Sequence, residues 1–445
     1  MRVGLLAMSG VRAHEPELTA LGLTLPGFVE RSRVIASLPS LGLLTLAGAT
    51  PDGVDLEYVD VPELLPPPWL PGEFDAVAVS SFSAQMNEAY ELADRYRAAG
   101  TKVILGGLHV TALPHQAAAH ADAVVLGEGE PLWPRVVDDL LHDSLDPIYD
   151  ARAMSFDLAR APMPRFELLD VGKYNRLTIQ TQRGCPYDCE FCAASIRIAP
   201  KFKVKPVPRV IDELRRIKSI WPQPFIELAD DNTFANREHG RRLLRALAGE
   251  HVRWFTETDL SIAGDPDLLS LLRDSGCAQV LIGFESAARA PLERLEQKTN
   301  WKARQFERYR EAVEIIQSFG ITVNGCFILG LDGAGPESFG EILRFVQESG
   351  LYEVQITVQT PFPGTPLYER LRREGRILRE GAWELCTLFD VNFRPSHMTV
   401  AQLEQGLRDL ARQLYDAKTT RERRRRFHRR LRDRCRSPAE TEKTT

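Results

Sequence analysis

Arg183-Gly-Cys-Pro-Tyr-Asp-Cys-Glu-Phe-Cys-Ala193 decides the reading of this chain. Cys185, Cys189 and Cys192 are spaced C-x3-C-x2-C, so one tight loop presents three thiolates to one side of a metal cluster. Soft thiolates select iron–sulfur clusters or zinc over hard ions. A [4Fe–4S] cube needs four ligands. This loop supplies three and leaves one iron open to a substrate or cofactor. A structural zinc site usually has four protein ligands, so that reading needs a distant residue such as Cys277 or His239. A ferredoxin-like carrier wants a fourth cysteine at short spacing, and none follows. Seven cysteines in 445 residues are too sparse, and odd in number, for a disulfide framework.

The length suggests two or three domains. Hydrophobic residues at 44% and charged ones at 26% are ordinary for a globular protein. A formal charge of −5 gives no overall basic field to draw nucleic acid. No apolar run reaches the roughly 18 residues a membrane span needs. Met1-Arg-Val-Gly-Leu-Leu-Ala-Met8 is too short an apolar start for a signal peptide and reads as a buried first strand. Sparse cysteines without a targeting segment point to the reducing cytoplasm.

Residues 1–146 alternate apolar runs with helical stretches, the rhythm of a parallel, helix-covered α/β sheet. Strands are expected at Arg2–Ala7, Leu56–Val59, Ala76–Ser80, Lys102–Gly106 and Ala123–Leu126, with helices near Ser37–Ala49, Ala84–Ala98 and Glu130–Leu141. This pattern suits a flavodoxin-like doubly wound sheet, whose ligands sit beyond the carboxyl ends of the strands. Those ends carry Ser80 and Ser81, then Gly106-Gly107-Leu-His109, then Gly127-Glu128-Gly-Glu130. Residues 147–170, with Pro162 and Pro164, read as a linker.

Over 171–378 the alternation restarts with longer helices. Strands are expected at Leu177–Gln182, Phe225–Ala229, Arg253–Glu257, Gln279–Phe284, Thr322–Leu329 and Glu353–Thr357. Helices fall near Val207–Ser219, Arg237–Ala248, Pro266–Ser275, Lys302–Ser318 and Pro336–Glu348. Six βα units are too few for a closed eight-fold barrel, but the cysteine loop directly follows the first strand, where barrel enzymes place their chemistry. Residues 379–445 read as helical, and Arg421-Glu-Arg-Arg-Arg-Arg-Phe-His-Arg-Arg430 as a solvated, partly frayed basic tail.

These features resemble the radical S-adenosylmethionine (SAM) enzymes, which are open (βα)6 partial barrels with SAM on the vacant iron of the cube. The resemblance implies that Phe191 lies near the adenine. Leu228-Ala-Asp-Asp-Asn-Thr-Phe-Ala-Asn236 is similar to a segment that binds the SAM amino group, which would give that task to Asp230 or Asp231 despite the inserted Thr233. Gly283-Phe-Glu-Ser286 resembles the ribose and carboxylate segment, through Gly283, Glu285 and Ser286. Gly325-Cys-Phe-Ile-Leu-Gly330 resembles an adenine motif ending in Gly330, and Pro361-Phe-Pro-Gly-Thr-Pro-Leu-Tyr368 resembles the loop after the sixth strand.

Pro39-Ser-Leu-Gly-Leu-Leu-Thr-Leu-Ala-Gly-Ala-Thr-Pro51 and the glycine-rich strand ends resemble the cobalamin-binding domain fused to many radical SAM enzymes. Cobalamin contacts would then fall to Ser80, Ser81, Gly106, Gly107, His109, Gly127 and Glu128. The chain has no Asp-x-His-x-x-Gly, so cobalamin is expected base-off without a protein histidine. His109 is expected as a loop histidine touching corrin or solvent, and Tyr187 as a residue stacked near the corrin. No cysteine precedes Cys185, which sets aside the tRNA methylthiotransferases and their second cluster.

The resemblance implies a cobalamin-dependent radical SAM enzyme, above all a C-methyltransferase. In that scheme the reduced cluster cleaves SAM to a 5′-deoxyadenosyl radical that abstracts substrate hydrogen, and methylcobalamin delivers the methyl group. The substrate would be a small molecule, lipid or peptide, and a flavodoxin or ferredoxin the electron donor. Two other readings stand beside it. One is a B12-associated radical cyclase, oxidase or ring-contracting enzyme; the other is a non-catalytic iron–sulfur or zinc binding protein. Cys277, Cys326, Cys386 and Cys435 read as small hydrophobes, and Asp188 and Glu190 as exposed spacers.

Overall fold

The computed structural model describes residues 1–15, 17–18, 38–194, 198–199 and 201–436, without the side chains of 434–436. Ser37, the expected start of the first helix, and the side chain of Cys435 lie outside the described residues.

Six parallel strands make the first sheet: β1 (Arg2–Met8), β2 (Asp55–Asp60), β3 (Ala76–Ser81), β4 (Lys102–Gly106), β5 (Ala123–Leu126) and β6 (Ile148–Asp150), in the order β2-β1-β3-β4-β5-β6. The period of two sorts its side chains. Val77, Val79, Val103 and Leu105 pack with Ala89, Leu92 and Ala93 of the helix Met86–Ala98. Ala76, Ala78, Ile104 and Val125 pack with Trp133, Val136 and Val137 of the helix Trp133–Leu141. Burial on both faces explains why these strands read as unbroken apolar runs. The strand order reverses at β1, and the crevice at such a reversal is where doubly wound sheets bind ligands.

Two features differ from expectation here. β6 falls inside the stretch read as linker, because Ile148–Asp150 pairs with Val124–Leu126 and extends the sheet past residue 146. The Gly106-Gly-Leu-His turn runs into two short helices, Leu108–Ala112 and Pro114–Ala118, so His109 sits in a helix rather than a loop.

The second sheet is also parallel: β7 (Leu177–Ile179), β10 (Phe225–Leu228), β11 (Arg253–Thr258), β12 (Cys277–Glu285), β13 (Thr322–Leu329) and β14 (Glu353–Val358), each beside its neighbour in chain order. Its outer face buries Val280, Ile282, Phe284, Val323, Phe327, Val354 and Ile356 under the helices. Phe284 anchors that layer. It stacks on Phe327 at 5.7 Å and meets Tyr309 edge-on at 4.8 Å.

The expected strand Leu177–Gln182 is interrupted because the Thr181 and Gln182 amides donate to the Asp230 carboxylate, at 2.7 and 3.0 Å, instead of to a ladder. Gln182 instead begins β8 (Gln182–Arg183), which pairs antiparallel with β9 (Lys203–Val204) and pinches the neck of the cysteine loop. The expected helix Lys302–Ser318 is broken by a 3-10 turn at Phe306–Arg308.

Apart from a 3-10 turn at Trp383–Leu385, the C-terminal region is helical only from Val400. The Trp383 indole reaches back to donate to Gln116 of the first domain at 3.1 Å. The basic stretch is no frayed tail: it lies in the helix Ala417–Arg436, with Phe427 buried and Arg423 bonded to the Leu414 carbonyl and to Glu353. This region also covers the outer edge of β14, where Ile356 N–H donates to the Tyr415 hydroxyl at 3.1 Å and Val358 N–H to the Leu388 carbonyl at 2.7 Å.

Phe284→Ala removes the centre of the aromatic layer and is expected to destabilise the second domain by about 3–5 kcal/mol, read as a lower urea midpoint.

Candidate active site

The cysteine loop leaves the neck of β8 and β9 and lies at the carboxyl ends of the second sheet. Its sulfurs are half-buried. Burial pushes the Cys185 thiol up to about 11, helped by the charges of Cys192 and Asp231 and opposed by Lys302. Burial likewise pushes Cys189 up to about 12, with Glu285, Cys192 and Cys185 adding to it and Lys302 opposing. The three thiols therefore share one electrostatic neighbourhood, and a bound metal would displace their protons. Among the described residues no three Cys, His, Asp or Glu side chains converge on a single ion. Of the candidate fourth ligands for zinc, Cys277 opens β12 at the opposite end of the strands, and His239 is buried in the helix Arg237–Ala248 with its ring against the Thr181 backbone.

The loop is held from several sides. Asp188 and Glu190 are not exposed spacers. Glu190 pairs with Arg370 at 2.7 Å, and its N–H donates to the Leu295 carbonyl at 3.1 Å. Asp188 N–H donates to Glu296 at 3.3 Å. Burial alone would raise Glu296, but hydrogen bonds from Thr299, Lys298 and Asp188 outweigh it and hold the carboxyl at about 2. Tyr187 stacks on Trp301 at 4.9 Å, away from the cavity described below, so it does not occupy the expected corrin-side position.

The two acidic residues after β10 part company. Asp230 is fully buried and accepts hydrogen bonds from Thr181, Gln182 and Thr233. Burial pushes it up to about 6 against those bonds. Its acceptor sites are taken by the scaffold. Asp231 instead accepts from Gly184 N–H at 2.9 Å, next to Cys185. At the end of β12 the register slips between Gly283 and Glu285, and Glu285 takes a left-handed φ of 64°, a conformation that stores strain at functional sites. Lys302 secures it, its ammonium donating to the Gly283 carbonyl at 2.7 Å and to Glu285 at 2.8 Å. Burial works against the Lys302 charge, but Glu285 and Cys189 hold its pKa above the ordinary value. Ser286 is buried beside them and its hydroxyl accepts from Ala288 N–H. Phe191 packs half-buried against the main core. Gly330, with φ of 81°, sits under Phe393 and Leu403, where a side chain would collide, so close packing against the C-terminal region accounts for that glycine.

A cavity of about 320 Å³ opens between the two sheets. One wall is the first domain: Leu41, Leu43 and Leu46, Ser80, Gly106, Gly107, Gly127 and Glu128. The other is the barrel: Gln180, Arg183, Lys205 and Ala229. Gly107 and Gly127 have φ of 108° and 79°, positions that favour glycine. No atom comes nearer than 3.7 Å to where a Gly106 Cβ would stand, leaving its backbone open to a flat ligand.

Two residues expected here lie elsewhere. Ser81, one step along the pleat from Ser80, is not part of the cavity wall, and its hydroxyl donates to the Phe82 carbonyl. His109 is 1% exposed, bonded through Nδ1 to the Ser83 hydroxyl at 3.1 Å and packed edge-on against Trp383 at 5.2 Å.

Arg183, unremarked in the sequence, joins the two walls. Its guanidinium spans Glu128 at 2.7 Å and Glu130 at 2.8 Å, and Lys203 also pairs with Glu128. Burial opposes the Glu130 charge, but Arg183 outweighs it and holds the carboxyl below its ordinary value.

Residues 179–346 match the family model described as the Radical SAM superfamily, 34–137 the B12 binding domain, and 365–444 a domain of unknown function (DUF4070). The bacteriochlorophyllide d C-8(2)-methyltransferase of Chlorobaculum tepidum is 28% identical over 70% of this chain and 71% of its own length. The hopanoid C-2 methylase of Rhodopseudomonas palustris is 29% identical over 78% and 67%. The radical SAM methyltransferase TsrM from Kitasatospora setae, solved with cobalamin and a [4Fe-4S] cluster bound, superposes with a TM-score of 0.62 at 15% identity over 84% of this chain and 75% of that one. Fold and site define a two-domain radical SAM enzyme. The chain belongs to the cobalamin-binding branch of that family.

Two outcomes follow from the buried charges. Arg183→Gln unpairs Glu130 and leaves Glu128 to Lys203 alone, and is expected to lower stability by about 3–5 kcal/mol, read by calorimetry. Burial lowers His109 to about 4, so between that pH and its ordinary 6.5 the unfolded chain binds more protons than the folded one. Stability therefore falls on acidification across this window, by up to roughly 3 kcal/mol from this group, and His109→Phe flattens that part of a pH–Tm profile.

Proposed function

We propose that this enzyme transfers a methyl group to a carbon of a small-molecule substrate, using a [4Fe–4S] cluster, SAM and base-off cobalamin. The observation that carries the reading is the shared cavity: the glycine-rich strand ends of the first sheet face the barrel wall that continues into the cysteine loop, with Arg183 tying the two together. When bound, the cluster supplies the electron that cleaves SAM, and cobalamin supplies the methyl group.

The chain's own groups divide the remaining work. Cys185, Cys189 and Cys192 hold the cluster. Asp231, Glu285 and Ser286 stand where the polar groups of SAM would be met, and Lys302 keeps Glu285 in its strained conformation. Asp230 positions the strand before the loop through the Thr181 and Gln182 amides rather than binding SAM. Ser80, Gly106, Gly107 and Gly127 would bring backbone close to a bound corrin, and Glu128 would line its site while anchored to Arg183 and Lys203. Among the described residues no histidine lines the cavity, and His109 is engaged with Ser83 and Trp383, which supports cobalt without a protein imidazole. A flavodoxin or ferredoxin provides the reducing electron. Among the described residues no helix is long and apolar enough to cross a membrane.

Anaerobic reconstitution followed by SAM carrying a trideuterated methyl group tests the reading. About four irons per chain, bound cobalamin, dithionite-dependent 5′-deoxyadenosine and a labelled product are expected; Cys185→Ala loses the cluster absorbance and the cleavage together. One zinc per chain without cleavage overturns it, and 5′-deoxyadenosine with an unlabelled product transfers the enzyme to the cyclase class.

A further inference from the structure

The inner wall of the barrel carries polar groups that the chemistry above does not use. Val280, Val323 and Ile356 face the helices, so the pleat turns Gln279, Asn324, Cys326 and Gln355 toward the lumen. The register sets Glu257 beside Leu281, Leu281 beside Asn324, and Cys326 beside Gln355, a continuous patch across four strands. Asn324 is fully buried, yet neither its amide oxygen nor its nitrogen has a hydrogen-bond partner among the described residues. Among the described residues both amide atoms of buried Gln359, just after β14, are also unpaired, as are the side-chain oxygens of Gln279 and Gln355.

Glu257 reaches into this space with no cation paired to it among the described residues. Its side chain is solvent-accessible, and desolvation by the surrounding protein, with the like charges of Glu227, Asp231 and Glu285, pushes it up to about 8. Among these buried amides the unpaired oxygens outnumber the unpaired nitrogens, and the Glu257 carboxyl adds a further acceptor oxygen. A hydrocarbon lodged here would leave buried amides without partners, and an anion would face mostly acceptor oxygens.

We propose that the substrate group held in this lumen is a nitrogenous hydrogen-bond donor, bound by Glu257, Asn324, Gln355 and Gln359. This rests on the methyl-transfer reading and names the substrate class for it. A site built to hydrogen-bond its substrate rejects an analogue lacking the donor by on the order of 10⁴-fold, so a pure hydrocarbon and a carboxylate or phosphate end are both excluded from this position.

The test incubates reconstituted holoenzyme and trideuteromethyl SAM with a small-molecule extract of the cell that makes the chain, then fractionates the label. Label is expected in a polar compound whose nitrogen-bound hydrogens exchange in deuterium oxide. With that compound as substrate, Asn324→Leu and Glu257→Leu each raise KM about tenfold or more while KM for SAM stays near wild type, and Glu257→Gln, of the same shape, raises it less. Label in a hexane-soluble hydrocarbon, or in a compound without N–H groups, overturns the inference and leaves methyl transfer standing. An unchanged KM in both leucine variants also overturns it. Label in no fraction counts against methyl transfer itself.

Discussion

One guanidinium holds the two halves of this enzyme in register. Arg183 stands at the last position before the cluster loop and spends its charge on Glu128 and Glu130, which belong to the loop after β5 in the other domain. A buried ion pair of this kind contributes little net stability over apolar packing, but losing one partner is costly. Its value lies in geometry. Glu128 lines the cavity and Arg183 leads directly into Gly184 and Cys185, so the ligand-binding wall of one domain and the metal loop of the other cannot shift independently. The antiparallel pinch of β8 and β9 stiffens the same junction, and Lys203 on β9 grips Glu128 as well.

Around that junction several acidic groups serve as internal ties. Asp230 gathers the amides of the broken strand, and Glu296 gathers the amides at 298, 299 and 188. Each replaces a lost backbone ladder with a carboxylate that accepts several hydrogen bonds, the cheapest way to satisfy buried N–H groups where a loop must bend around a large cofactor. Lys302 does the converse and neutralises Glu285 beside Cys189. The site is thus tied down on its protein side, while the lumen carries a cluster of unpaired amide atoms.

Most strands were legible because buried parallel strands are continuous apolar runs punctuated by glycine; Lys102–Gly106, Ala123–Leu126 and Thr322–Leu329 fall where the pattern places them. The cysteine loop was legible because its chemistry is local. What escaped depends on contacts across long separations. Nothing near Arg183 in sequence signals partners 53 and 55 residues earlier, and Lys302 lies far downstream of the loop it protects. His109 was misplaced because a glycine pair suggested a loop, whereas the chain turns straight into a helix that buries the ring under Trp383. Asp230 and Asp231 are adjacent and chemically alike, and only the fold separates the one that ties the scaffold from the one beside Cys185. The basic stretch is largely solvated, as its composition suggested, but it is not frayed: Arg423 and Phe427 are buried, and Glu353, at the start of β14, supplies the countercharge to Arg423 and Arg424.

An open partial barrel has a problem a closed one avoids: its outermost strand carries main-chain groups available to another molecule's strand. In β14 two of those amides are already spoken for by the Tyr415 hydroxyl and the Leu388 carbonyl, neither of which belongs to a strand. The C-terminal region is therefore a guard against self-association as well as a cover. A chain cut short of it would keep its three cluster cysteines and its cavity glycines, yet bare that edge to the strand of a neighbour.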